Sequence, residues 1–136
     1  GQLEECPRAA AVVVIDRIGM LRNLYALADV AFVGGSLVKA GGHNPLEPAA
    51  LAIPVVFGPH TDDFGWICRT LEDGGGAFRV FGSAQLAQIV GELMRDNKRR
   101  RQAGRNARAV FHRHRGAVTR TMEIIAKAGA PGESRR

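Results

Sequence analysis

Four apolar runs punctuate the chain, each too short for a helix and each bounded by glycine or turn residues. They are Ala11-Val12-Val13-Val14-Ile15, Val30-Ala31-Phe32-Val33, Pro54-Val55-Val56-Phe57 and Ala77-Phe78-Arg79-Val80. Short, nearly continuous apolar runs predict strands buried on both faces. Helix-period stretches lie between them. Residues Met20 to Ala28 put Leu21, Leu24, Tyr25 and Ala28 on one face, Leu46 to Leu51 is helix-sized, and Phe64 to Leu71 follows a cap at Thr61 or Asp62. Ser83 opens the most regular pattern, with Leu86, Ile89, Val90, Leu93 and Met94 at i, i+3, i+4, i+7 and i+8. Asn97 is read as the cap of a long basic helix with apolar positions Ala103, Ala107, Val110 and Phe111. Gly116 is expected to break that helix before a last one carrying Val118, Met122 and Ile125.

This order, strand and helix alternating and then helices alone, predicts an α/β fold. Its centre is a Rossmann-like parallel sheet with helices on both faces, followed by a run of helices. In such sheets ligands sit beyond the carboxyl ends of the strands. The loops expected to meet there are Asp16–Gly19, Gly34–Asn44 and Gly58–Thr61. One domain over 1–129 is expected, with a polar, disordered tail over 130–136. There is no internal repeat.

Composition adds limits. A chain of 136 residues, 46% hydrophobic and 24% charged, can bury a real core. No apolar run approaches the ~20 residues that cross a bilayer, and no signal peptide opens the chain. Cys6 and Cys68 have neither C-x-x-C nor metal-ligand spacing, which fits structural thiols in a reducing, cytoplasmic location. The formal charge of +6 is local: nine of the 19 basic residues lie between Lys98 and Arg120, with no Asp or Glu from Lys98 through Met122. Such a stripe suits phosphates of nucleic acid, anionic lipid or a charged glycolipid; it equally suits a solvated helical face.

The candidate chemistry centres on Gly41-Gly42-His43-Asn44-Pro45-Leu46-Glu47-Pro48, between the second and third apolar runs. Glycines there let a ligand approach the backbone, and the N–H groups of a loop and helix start suit an anion. Asn44 can cap the helix, with Pro45 in its first turn. Glu47 lies one turn in, where its carboxylate can accept two hydrogen bonds from paired ribose hydroxyls. The alternative reading is a capped helix start whose glycines only make a tight connection.

Three segments taken in order, Ala28 to Ser36, Gly42 to Ala49 and Pro54 to Thr61, closely resemble the C-terminal half of 3-deoxy-D-manno-octulosonic acid (Kdo) transferases. The resemblance runs from about Val12 to the last helix, where His114-Arg115-Gly116-Ala117 through Arg120-Thr121 also fits. It implies a GT-B glycosyltransferase fold, moving Kdo from CMP-Kdo onto a lipid A precursor, with this half binding the nucleotide. Glu47 then matches the residue on the ribose, and Gly42, His43 and Asn44 match the loop against the phosphate. Gly34, Gly35 and Ser36 match the cleft floor, and Gly19 lies in a segment expected near the cytosine or phosphate. The sequence departs from the family at Met20, commonly acidic there, and at Asp62-Asp63.

The resemblance implies no metal and no cofactor, and it assigns no catalytic residue here. The general base, the acceptor site and the membrane-proximal surface are expected in an N-terminal domain. The chain is thus expected to be a piece truncated on its N-terminal side, inactive alone. It is expected at the cytoplasmic face of the bacterial inner membrane, with the Lys98–Arg120 stripe near anionic lipid and no nucleic acid bound. His43 is favoured as a ligand contact, His60 as a turn residue, and His112 and His114 as surface residues. Trp66 and Tyr25 are expected in the core, since a single Trp and Tyr make no base-stacking platform. Two other readings stay open: a UDP-sugar-using GT-B relative, and a nucleic-acid-binding module, which lacks interleaved aromatics.

Overall fold

The structure, a computed structural model, describes residues 12–15, 20–37 and 44–129, with residue 63 and residues 117–129 described as backbone alone. Three parallel strands, β1 (Ala31–Phe32), β2 (Val55–Phe57) and β3 (Ala77–Arg79), pair in the order β1-β2-β3. The register sets Ala31 beside Val55 and Val56 beside Phe78. Backbone bonds Ala31 N–H to Pro54 O (3.0 Å) and Val33 N–H to Val56 O (2.9 Å) extend the β1–β2 ladder past both ends of the short first strand.

Helices cover both faces. Against one lie α2 (Leu46–Ala50), α3 (Gly65–Asp73, led by a 3-10 turn at Asp62–Phe64) and α5 (Asn97–Gly129). They enclose Val55, Phe57, Ile67, Cys68, Leu71, Ala107 and Val110. Against the other lies α4 (Ser83–Arg95), whose Leu86, Ile89, Val90 and Leu93 pack on Val56, Phe78 and Val80. The expected α/β architecture is therefore present, and β2 at its centre is buried on both faces. The short α1 (Leu21–Tyr25) rests beside α2 and buries none of its residues completely.

Several local expectations are corrected. Val12, Val13 and Val14 belong to no strand among the described residues and are 82%, 45% and 76% exposed. Gly116 does not break the last helix: α5 runs unbroken through 33 residues. One glycine costs a helix only about 1 kcal/mol, which the turns on either side offset. Asp96, not Asn97, caps α5, its carboxylate accepting from Arg99 N–H at 3.0 Å. Neither Thr61 nor Asp62 caps by its side chain; Thr61 is instead buried beside Cys68, whose thiol it influences. Trp66 is 56% exposed and lies against the His114 ring at 5.0 Å, outside the core. Cys6, Asp16–Gly19, Gly41–His43 and the tail over 130–136 lie outside the described residues.

α2 ends unusually. Ile53 N–H bonds to Pro48 O and Ala52 N–H to Ala49 O, the double closure of a helix terminus whose penultimate residue takes positive φ. Here that residue is Ala52 (φ 59°), not glycine. The turn sends the chain directly into β2 and brings the Ala52 carbonyl against Gly104 of α5.

Candidate functional site

The loops leaving β1 and β2 meet at the carboxyl end of the sheet, and Ser36 joins them. After Val33 the chain turns through Gly34 and Gly35, the latter at φ 76°, where a side chain would be strained. Ser36 is fully buried; its hydroxyl donates to Val33 O and accepts from Gly58 N–H at 2.8 Å. Its carbonyl accepts from His60 N–H at 2.9 Å. A Cβ on Gly58 would lie 2.3 Å from the Ser36 carbonyl oxygen, so only glycine permits this approach. In this arrangement Ser36 is a strut, its hydroxyl already engaged by backbone.

Arg79, at the end of β3, fixes the second loop from the far side. Its guanidinium donates to Gly58 O and Pro59 O, both at 3.3 Å, pairs with Glu72 at 2.8 Å, and lies 4.9 Å from the centre of the Phe57 ring. Sequence reading missed this residue. Its hydrogen-bond partners are 7 to 21 positions away, and nothing in its own strand announces them.

The third component is the start of α2. Asn44 Oδ1 accepts from Leu46 N–H at 3.0 Å, the capping role the sequence suggested. Glu47 follows in the first turn, exposed. Both line an open cleft of about 580 Å³ with Leu21, Arg22, Leu46, Ala50 and Phe111. Its volume lies in the range that takes a small organic ligand. Leu21, Leu46, Ala50 and Phe111 make an apolar wall, while Asn44, Glu47 and Arg22 are polar. Tyr25 stands near; partial burial, and next the Glu47 carboxylate, push its hydroxyl pKa up. A ligand with a flat apolar part, a pair of hydroxyls and an anionic group would find a counterpart for each.

Of the sequence-derived site residues, Gly34, Gly35 and Ser36 thus build the loop floor, and Asn44 and Glu47 line the cleft. Gly19, Gly42 and His43 fall outside the described residues. Arg22 and Phe111 were not singled out as site residues; Phe111 had been read only as an apolar position of the last helix. Cys68 is buried, which raises its thiol pKa, the Thr61 hydrogen bond opposing; this suits a structural thiol. Among the described residues no three His, Cys, Asp or Glu side chains gather as a metal site would require. A second, polar cavity of about 620 Å³ lies beside Pro59, Thr61, Trp66 and Arg69.

No family model matches the chain. Among curated proteins, it is 40% identical over 115 residues to the 3-deoxy-D-manno-octulosonic acid transferase of Haemophilus influenzae, covering 84% of this chain and 27% of that protein. It is 40% identical over 83 residues to the Aquifex aeolicus enzyme of that name (61% of this chain, 24% of that protein). The Bordetella pertussis enzyme of that name is 35% identical over 114 residues (84% and 27%). Among solved structures, the C-terminal CMP-Kdo binding domain of WaaA from Acinetobacter baumannii superposes with TM-score 0.67 at 34% identity, over 71% of this chain and 50% of that one. The chain belongs with the C-terminal domains of the Kdo transferases. It spans about a quarter of the length of the curated relatives it matches. The parallel sheet with helices on both faces is accordingly that of a GT-B C-terminal domain.

Proposed function

We propose that this chain is the donor-nucleotide half of a glycosyltransferase that moves Kdo from CMP-Kdo to a lipid A precursor. Its domain occupies residues 1–129. The observation that carries the reading is the placement of Asn44 and Glu47, from the octet at the centre of the resemblance, together on one cleft at the start of α2. Glu47 accepts the two ribose hydroxyls, and the apolar wall of Leu46, Ala50 and Phe111 covers the flat face of the ligand. Gly42 and His43 meet the phosphate, with Gly19 close to the base or phosphate. Gly34, Gly35 and Ser36 hold the floor.

No residue here is assigned the general base. Transfer needs a base within hydrogen-bond reach of the acceptor hydroxyl, and water excluded by closure of two domains. Both requirements fall to an N-terminal partner domain. The exposed basic face of α5 would rest against the anionic surface that carries the acceptor.

Amide NMR during titration with CMP tests the reading. Shifts in residues 34–47 are expected, and Glu47→Ala should weaken CMP binding about tenfold, the loss of two hydrogen bonds to a charged acceptor. UMP should bind more weakly than CMP. Equal affinities for the two nucleotides would favour a UDP-sugar-using relative, and unchanged affinity in Glu47→Ala would remove Glu47 from the ribose.

A further inference from the structure

An anionic ligand in this cleft needs a positive counterpart. The sequence pointed to the N-terminus of α2, yet α2 has five residues, and so short a helix sums few peptide dipoles. Among the described residues the cleft contains one full positive charge, Arg22, on α1. α1 and α2 pack side by side, and Tyr25, one turn beyond Arg22, feels the Glu47 carboxylate. Arg22 and Glu47 therefore stand on neighbouring helices at one opening. Among the described residues no carboxylate lies within ion-pair distance of Arg22, so none of them engages its charge. Arg99 and Arg79, by contrast, are each paired with a glutamate at 3.0 Å or less.

We propose that Arg22 is the oxyanion-binding residue of the cleft, taking the anionic group of the ligand whose hydroxyls Glu47 accepts. This rests on the donor-nucleotide reading and adds to it a division of labour: diol on Glu47, oxyanion on Arg22. A guanidinium offers a planar fork of N–H donors that matches two oxygens of a phosphate or carboxylate. Two groups of the donor carry such oxygens, the nucleotide phosphate and the carboxylate of the sugar acid, and the experiment separates them. The competing role is structural, since Arg22 sits in the last turn of α1, where a cation favours the helix terminus. That role would act on the free protein, without regard to ligand.

The chain, Arg22→Gln and Arg22→Lys are each titrated calorimetrically with CMP, cytidine and free Kdo, and their unliganded thermal midpoints are measured. If Arg22 holds the phosphate, Arg22→Gln weakens CMP about tenfold and leaves cytidine unchanged, erasing the preference for the phosphorylated ligand. Arg22→Lys restores part of that preference. If it holds the sugar carboxylate, Arg22→Gln weakens free Kdo alone; both results support an oxyanion site at Arg22. The inference is overturned if all three ligands bind Arg22→Gln as they bind the parent chain, or if CMP and cytidine weaken equally alongside a lowered thermal midpoint. CMP binding that is retained while neither CMP nor free Kdo responds to Arg22→Gln defeats the inference alone. A parent chain that binds none of the three defeats the donor-nucleotide reading and this inference with it.

Discussion

The hydroxyl of Ser36 donates to Val33 and accepts from Gly58, so one small side chain holds together two loops that are 22 residues apart in sequence. Replacing it by alanine leaves the Gly58 N–H unpaired in a buried setting, which costs about 1–3 kcal/mol. Ser36→Ala should therefore lower the urea midpoint by that equivalent while leaving helix content unchanged by circular dichroism. A midpoint equal to the parent's would mean that the two loops are held by the Ser36 backbone and Arg79 alone. The sequence marked Gly34-Gly35-Ser36 as the floor of a cleft; the structure places them in the braced loop that leaves β1, and none of the three lines the cleft at the start of α2. What it could not convey is the direction of the Ser36 side chain, because the partner that satisfies it arrives from a different strand. Arg79 was illegible for the same reason. Asn44 and Glu47 were legible because their geometry is local: a cap and a first-turn carboxylate follow from positions two or three residues apart.

At the level of elements, two glycines of α5 look alike in sequence and differ in what surrounds them. A Cβ on Gly104 would lie 2.1 Å from the Ala52 carbonyl oxygen, at the crossing of α5 over the end of α2. A Cβ on Gly116 would meet nothing within 4 Å. Gly116→Ala should therefore stabilise the chain by up to about 1 kcal/mol, the helix-propensity difference between the residues. Gly104→Ala should destabilise it by about 1–3 kcal/mol, since backbone must move to admit the methyl group. Equilibrium unfolding of the two variants measures both signs. A loss of stability in Gly116→Ala would show that α5 is held to something at that turn. The expectation of a helix break at Gly116 failed because glycine is only a weak breaker when strong helix formers flank it. The strand expected over Ala11–Ile15 failed differently. β-branched residues favour strands where a covering layer buries them, and the side chains of Val12 and Val14 are instead largely exposed. α4 was read nearly to the residue, since its apolar period is complete and its packing face is single.

Charge matters at the scale of the whole molecule. Lys98, Arg101, Arg105, Arg108, His112 and Arg115 recur every three or four residues, so they share one face of α5, and all are exposed. The opposite face carries Ala103, Ala107 and Val110 into the core. Acidic partners are spent elsewhere: Glu92 pairs with Arg99, and Asp29 lies 4.0 Å from Arg100. Arg105 donates to Gln102 Oε1 and Arg108 to His112 Nε2, and neither forms an ion pair with a described carboxylate. The row is about 26 Å long at the helical rise of about 1.5 Å per residue. From Ala103 to Val110 the apolar face is already packed, so this stretch of α5 meets a bilayer with its basic face alone. Among the described residues no helix is long and apolar enough to cross a membrane. Each basic residue near an anionic surface contributes about 1 kcal/mol at low salt. Replacing Arg101, Arg105 and Arg108 together by glutamine should weaken sedimentation with phosphatidylglycerol vesicles by about a hundredfold, and raised salt should weaken the parent's binding in the same way. Phosphatidylcholine vesicles should bind neither protein. The three positions are exposed, so the thermal midpoint should change little. Equal vesicle binding by the parent and the triple variant would remove this face from the membrane and leave it as a solubilising surface. Tighter, salt-sensitive binding of arbitrary RNA than of vesicles would assign the stripe to nucleic acid instead.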